Sequence, residues 1–216
     1  MLDVNAARRQ MIEQQVRAWQ VLDLTVLEAM ERVPREEFAP PAYRELAFGD
    51  LNVPLGHGQS MLTPKLEGRM LQALDMQPND EVLEIGTGSG YVSACLASLG
   101  REVLSLEIHP DLAQLAAAKL AANGHHNVGV VTADALAWDS ERRFDAICVT
   151  GAVAAVPPRF LQWLRPGGRL FVVTGVAPVM DAVVLHAEAG GLRSESLLET
   201  DIPYLVGAAP PAVFTF

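Results

Sequence analysis

Three glycines at alternate positions, Gly86, Gly88 and Gly90, follow an apolar run that carries Glu84 near its end. Glycine lets the backbone turn tightly from a strand into a helix, and it lets a ligand lie close against the backbone. A dinucleotide fingerprint would need its third glycine one residue later, so this G-x-G-x-G run, with Thr87 inside it, differs from that fingerprint. The turn and the acid before it are therefore candidates for binding a ligand of another kind.

Two more acids follow the ends of the next two apolar runs. Glu107 lies about 20 residues beyond the glycines, where a carboxylate can accept hydrogen bonds from both ribose hydroxyls. Asp134 follows the third run, where a side-chain oxygen can meet an adenine amino group. A lone acid is more often a solvated residue or a helix cap, but three acids at successive strand ends favour an adenosyl ligand. Together with G-x-G-x-G, this pattern is typical of enzymes that bind S-adenosylmethionine. The predicted cofactor-binding residues are Glu84, Gly86, Thr87, Gly88, Gly90, Glu107, Asp134 and Ala135.

The elements that must position these residues can be inferred from the alternation of apolar runs and helical patterns after residue 80. Apolar strands that alternate with helices predict an α/β fold with a doubly wound, Rossmann-like parallel sheet, whose ligand binds at the carboxyl ends of the strands. Gly190 and Gly191 predict an antiparallel hairpin at the C-terminal end of the sheet. Residues 1–64 are predicted to form a helical and loop extension packed on the core, and residues 65–216 the S-adenosylmethionine-binding domain.

Composition narrows the possible partners. Of the 216 residues, 50% are hydrophobic and 19% charged, which is enough for one well-cored domain with a terminal extension. The formal net charge is -10 and there is no basic run, so we expect no nucleic-acid partner. We also expect no membrane partner, because no stretch is long and apolar enough to span a bilayer.

The cysteines and histidines give no metal or disulfide pattern. Cys95 and Cys148 lie in apolar contexts and are interpreted as buried free thiols of a reducing compartment. No apolar segment follows Arg8 and Arg9, as it would in a secretory signal, so a cytoplasmic protein is expected. The histidines lack a metal-ligand spacing, and no metal is assigned.

The most specific motifs lie outside the glycine-rich turn. They are Glu13-Gln14-Gln15-Val16-Arg17-Ala18, Gly56-His57-Gly58-Gln59 and Leu164-Arg165-Pro166-Gly167-Gly168. With these motifs the chain resembles the protein-L-isoaspartate O-methyltransferase family over nearly its whole length. The resemblance implies methyl transfer from S-adenosylmethionine to the side-chain carboxyl of an isoaspartyl residue, with damaged protein or peptide as the substrate.

The chain departs from the family pattern on the substrate side. Leu62 stands where the family has a serine that helps to orient the acceptor carboxylate, and the hydroxyls of Ser60 and Thr63 are the nearest candidates to replace it. The family's C-terminal run is replaced by residues 200–206. Because leucine cannot hydrogen-bond a carboxylate, weak isoaspartyl methylation is expected. A methyltransferase with a different acceptor, and a cofactor-binding protein that has lost catalysis, are the alternatives.

Overall fold

The computed structural model describes residues 3–211 of the chain. Three α-helices lie at its N-terminal end: α1 (Val4–Met11), α2 (Leu24–Arg32) and α3 (Arg35–Phe38). After α1 the backbone continues as a π-helical segment, Ile12–Val16, and a 3-10 turn, Arg17–Trp19. Residues 4–19 thus form one helical stretch whose hydrogen-bonding pattern changes from α to π and then to 3-10.

A small hairpin follows the N-terminal helices. Its strands are β1 (Val53–Gly56) and β2 (Gln59–Met61), which pair antiparallel, and α4 (Pro64–Ala73) begins just after it. At the tip, His57 has φ 52° and lies between two glycines that also have positive φ. The hairpin matches the loops with short extended pieces that the proline and glycine content predicts here.

The remaining elements form the predicted doubly wound sheet. The strands are β3 (Glu81–Ile85), β4 (Glu102–Glu107), β5 (Val128–Thr132), β6 (Phe144–Val153), β7 (Leu164–Val176), β8 (Val179–Glu188) and β9 (Gly191–Thr200). The helices are α5 (Tyr91–Leu99), α6 (Pro110–Ala122) and α7 (Pro158–Gln162). The order across the sheet is β5-β4-β3-β6-β7-β8-β9, parallel from β5 to β7 and antiparallel from β7 to β9. The parallel sheet and its closing hairpin are therefore confirmed.

This topology determines where a ligand can bind. From β3 the chain crosses outward to β4 and β5, and it then returns to the other side of β3 with β6. Ligands of open α/β sheets bind at the carboxyl ends of the strands where the strand order reverses, which here is beside β3.

Two hydrophobic clusters cover the faces of the sheet. Met30 and Phe38 of the N-terminal helices share a cluster with Val82 and Phe171, whereas Phe160 belongs to the cluster on the opposite face. The division into an extension and a cofactor domain stays a prediction, since the N-terminal helices complete the same core as the sheet. No helix between residues 3 and 211 has the length and apolar character needed to cross a membrane.

Candidate active site

A cleft with about 820 Å³ of empty space, including its open mouth, lies at the carboxyl ends of the parallel strands. Its floor is the glycine-rich turn after β3, and its sides come from the ends of β4, β5 and β6. The β1–β2 hairpin and the C-terminal segment close it from above. Its lining includes the predicted residues Ser60, Gly86, Thr87, Gly88, Glu107, Asp134 and Ala135.

The turn between β3 and α5 places backbone atoms without side chains at the cleft. Gly86 has φ 97° and Gly88 has φ 52°, conformations that residues with a Cβ rarely adopt. A Cβ on Gly86 would lie 2.5 Å from Thr150 Oγ1, and one on Gly88 would lie 3.1 Å from Leu55 Cδ1. Gly90 has a different role, since it packs against α6 outside the cleft lining. The first two glycines thus leave room that any other residue would occupy.

Glu107 connects the glycine-rich turn to the start of α6. It is 5% exposed; its Oε2 accepts a hydrogen bond from the Gly88 N–H at 2.8 Å, and its Oε1 accepts one from the His109 N–H at 3.1 Å. A carboxylate oxygen has two lone pairs, so both oxygens can accept a further hydrogen bond from a ligand hydroxyl. Asp134 is exposed on the cleft wall, and its Oδ1 accepts from the Leu136 N–H at 2.8 Å.

Glu84 lies below the turn rather than in the cleft lining. Its Oε2 accepts hydrogen bonds from the hydroxyls of Ser93 and Ser105, and Ser105 Oγ is 2.6 Å from Thr87 Oγ1. Burial raises the pKa of Glu84 to about 8, despite the opposing effect of the two serine hydroxyls. Among residues 3–211, nothing hydrogen-bonds its Oε1. Glu84 and the Thr87 hydroxyl therefore support the turn from beneath, and direct contact of Glu84 with a cofactor stays a prediction.

Strand β2 and the residue after it also contribute to the cleft lining. Ser60 lies within β2 and Leu62 directly follows it; both line the cleft, and Leu62 is 3% exposed. Thr63 does not line it and is the residue before α4, where its side chain makes no capping hydrogen bond. Of the two candidate hydroxyls, only that of Ser60 belongs to a residue of the cleft lining.

A buried ion pair stands behind Leu62. Arg35 of α3 is fully buried and forms an ion pair with Glu67 of α4, which is 1% exposed and lines the cleft. Burial raises the pKa of Glu67 to about 7, although Arg35 acts in the opposite direction. Because Arg35 neutralises Glu67, the wall at this end carries no net charge when both groups are ionised.

Residues far apart in the sequence meet at the mouth of the cleft. The ring of His57, at the tip of the hairpin, stacks on His109 with centroids 4.0 Å apart, and its Nε2 lies 2.9 Å from Asp111 Oδ2. The hairpin is thereby attached to the start of α6. Within the described part of the chain, no cluster of histidine, cysteine and acidic side chains could hold a metal ion.

Comparisons with known proteins identify the family. A family model described as protein-L-isoaspartate(D-aspartate) O-methyltransferase matches residues 6–192. Protein-L-isoaspartate O-methyltransferase 1 of Syntrophobacter fumaroxidans is 38% identical over 208 residues, 96% of this chain and 97% of that protein. Protein-L-isoaspartate O-methyltransferase 2 of Marinobacter nauticus is 44% identical over 174 residues, 80% of each chain.

The chain belongs to the protein-L-isoaspartate O-methyltransferase family. Its fold matches a Plasmodium falciparum protein described as a member of this family, solved in complex with S-adenosyl-L-homocysteine, with a TM-score of 0.80. That match covers 95% of this chain and 99% of the other at 18% sequence identity, so it supports the shared fold alone.

The C-terminal segment of this family member follows a course that its sequence did not predict. It runs beside the end of β6, where the Ala152 N–H donates to Pro203 O and the Leu205 N–H donates to Ala152 O, each at 2.9 Å. Leu205 and Val206 therefore line the cleft. The tail that replaces the family's usual run still reaches the site.

Sequence reasoning also missed the ion pair behind Leu62, although one signal was present. Glu67 lies on the same helical face as the buried residues Met70, Leu71 and Leu74. An acid within an apolar stripe implies a buried partner. The partner, Arg35, is 32 residues away and could not be identified from spacing.

Proposed function

We propose that this family member binds S-adenosylmethionine in the cleft and methylates the side-chain carboxyl of isoaspartyl residues in proteins or peptides. One arrangement carries the proposal. The glycine-rich turn and Glu107 line the same cleft as the Ser60–Leu62 segment. A cofactor site and an acceptor site can therefore share one cleft, as a direct group transfer requires.

The cofactor end fits an adenosyl group by its donor set and its shape. Glu107 offers two carboxylate oxygens to ribose hydroxyls, and Asp134 offers one to an adenine amino group. The space above Gly86 and Gly88, which a Cβ would reduce, lets a ligand approach the backbone. When bound, S-adenosylmethionine supplies an electrophilic methyl group.

The acceptor end fits a carboxylate that needs no general base. A carboxyl with a pKa of about 4 is already ionised at neutral pH. The residues here need only orient it and exclude water. Ser60 offers a hydroxyl for orientation, and the apolar side chains of Leu55, Leu62 and Leu205 keep the cleft dry.

Removing the Glu107 carboxylate is expected to weaken cofactor binding. In Glu107→Ala we expect the Kd for S-adenosylhomocysteine, measured by calorimetry, to rise. The binding free energy should weaken by about 1–3 kcal/mol, because charge-assisted hydrogen bonds are lost. Glu102→Ala, at the exposed start of the same strand, is the control and should bind as the unmodified protein does. Unchanged affinity in Glu107→Ala would refute this assignment.

Activity on an isoaspartyl peptide tests the proposed acceptor. We expect slow methylation of the isoaspartyl form and none of the aspartyl form of the same peptide. Leu62→Ser should raise kcat/KM by about one to two powers of ten, because a hydrogen bond to a charged group contributes about 1.5–3 kcal/mol. Leu62→Ala removes the same leucine without adding a hydroxyl, and it should give no such gain.

The outcomes separate the alternatives. If neither the unmodified protein nor Leu62→Ser methylates the peptide while S-adenosylhomocysteine binds normally, the acceptor is not isoaspartate. If Leu62→Ser and Leu62→Ala behave alike, a hydroxyl at this position does not orient the carboxylate.

The proposal includes a cytoplasmic site of action. Its support is that Cys95 and Cys148 are both buried free thiols, as expected in a reducing compartment. The net charge of -10 is consistent with a protein substrate rather than a nucleic acid.

A further inference from the structure

Arg35 connects three segments of the chain from one buried position. Its Nε donates to Ala47 O at 2.7 Å, its Nη2 donates to Leu62 O at 2.7 Å, and its Nη1 donates to Glu67 Oε2. The guanidinium also lies over the ring of Tyr91, with Cζ 4.8 Å from the centroid. A planar guanidinium holds several acceptors in fixed directions, which a single ammonium group cannot do.

Two of these partners form the acceptor end of the cleft. Leu62 and Glu67 both line it, whereas Arg35 lies behind them and is absent from the lining. The position of the Leu62 backbone and the direction of the Glu67 carboxylate therefore depend on a residue that a ligand would not touch.

We propose that Arg35 is a positioning residue for the acceptor: it fixes the Leu62 backbone and the Glu67 side chain in the wall that the acceptor carboxylate approaches. The inference rests on the proposed function, because the acceptor is taken to be an isoaspartyl carboxylate. Without Arg35, the Leu62 carbonyl and the Glu67 carboxyl lose the hydrogen bonds that hold them, and this part of the cleft lining is released. The loss of a fixed wall weakens acceptor binding.

The chain offers a matched control for loss of stability. Arg169 donates to three backbone carbonyls, those of Leu74, Asp75 and Asp145, and to one carboxylate, that of Asp80. It pairs in the sheet with Ala146, near the start of β6, and so lies at the opposite end of the strands from the cleft. Arg169→Met removes the same kinds of contact as Arg35→Met, but away from the acceptor.

The test compares kinetic constants of the full-length variants. In Arg35→Met we expect the KM for the isoaspartyl peptide to rise about tenfold or more, since small misplacements at a reacting group have large effects. The Kd for S-adenosylhomocysteine should change less than about twofold, because the hydrogen bonds of Arg35 go to Ala47, Leu62 and Glu67 rather than to Glu107 or the glycine-rich turn. Arg169→Met should leave the peptide KM and the Kd for S-adenosylhomocysteine unchanged, although it should unfold at a lower temperature than the unmodified protein.

A conservative variant separates charge from position. Glu67→Gln keeps an oxygen for Arg35 and leaves the hydrogen bond from Arg35 to Leu62 O in place, so the peptide KM should rise less than in Arg35→Met. If Arg35→Met does not fold, Arg35→Lys is the variant to test. A lysine cannot donate to the carbonyls of both Ala47 and Leu62, so the peptide KM should still rise. An unchanged peptide KM in the folded Arg35 variant would overturn the proposal. So would a Kd for S-adenosylhomocysteine that rises by the same factor as the peptide KM.

Amide hydrogen exchange provides a readout that needs no turnover. The amides of Met61, Leu62 and Thr63 should exchange faster in the Arg35 variant than in Arg169→Met. Equal exchange in the two would overturn the positioning role. Absence of peptide methylation by both the unmodified protein and Leu62→Ser would instead refute the proposed acceptor, and the exchange result would then decide the positioning role alone.

Discussion

Gly88→Val is expected to abolish cofactor binding while the protein remains folded. Gly88 has φ 52°, and the Cβ of a new side chain would have one close neighbour, Leu55 Cδ1 at 3.1 Å, which itself belongs to a residue of the cleft lining. The valine would therefore project into the space where the ligand approaches the backbone. We expect the Kd for S-adenosylmethionine to rise more than about 100-fold, which corresponds to about 2.8 kcal/mol.

The control for backbone strain is Gly124→Val. Gly124 also has positive φ, 79°, and no atom lies within 4 Å of its added Cβ. It follows α6 and does not line the cleft. Both valines incur the cost of a left-handed conformation, about 1–2 kcal/mol, but only the variant at position 88 should lose binding. Normal cofactor affinity in Gly88→Val would show that the turn does not cradle the ligand.

Glu84→Gln is expected to remove a large part of the pH dependence of stability. The pKa of Glu84 is raised from 4.5 to about 8 because the carboxyl is buried, and each pKa unit corresponds to about 1.4 kcal/mol. Between these two pH values the folded protein keeps a proton that the unfolded chain has lost. The folded state binds more protons, so the free energy of unfolding falls as the pH rises through this window.

The measurement is the free energy of unfolding by urea as a function of pH. The unmodified protein should lose stability, relative to Glu84→Gln, by several kcal/mol from about pH 4.5 to about pH 8. Glu67, whose pKa is also raised, is present in both proteins, so its contribution cancels in the difference. Glu199→Gln, which changes an exposed acid on β9, should follow the unmodified protein. Parallel pH curves for the unmodified protein and Glu84→Gln would contradict the prediction.

The order of the elements and the cofactor end of the cleft could be predicted from the sequence. Apolar runs, helical periodicity and turn residues are local signals, and they predicted a parallel α/β sheet after residue 80 with an antiparallel hairpin at its C-terminal end, as the structure has it. Parallel strands bring their carboxyl ends to one edge, so Gly86, Gly88, Glu107 and Asp134 had to lie near one another once the sheet was parallel. The structure places all four in the cleft lining.

Side-chain direction was decided by the tertiary structure. Glu84 and Gly90 belong to the same motif as Gly88, but Glu84 points into the core toward Ser93 and Ser105, and Gly90 packs on α6. Alternate residues of a strand face opposite sides of the sheet, so membership of a motif does not place a side chain in the cleft. Likewise, Ser60 lines the cleft and Thr63 does not.

The sequence by itself determined the fold class, the glycine-rich turn and the acids at the strand ends, because these follow from local periodicity and from the topology of a parallel sheet. Only the tertiary structure brought Arg35 to Leu62 and Glu67, His57 to Asp111, and Leu205 to the end of β6. These contacts join residues separated by 27 to 54 positions, and they depend on how the N-terminal helices, the hairpin and the tail pack on the sheet. No local pattern encodes such packing, because it depends on burying all of these surfaces together.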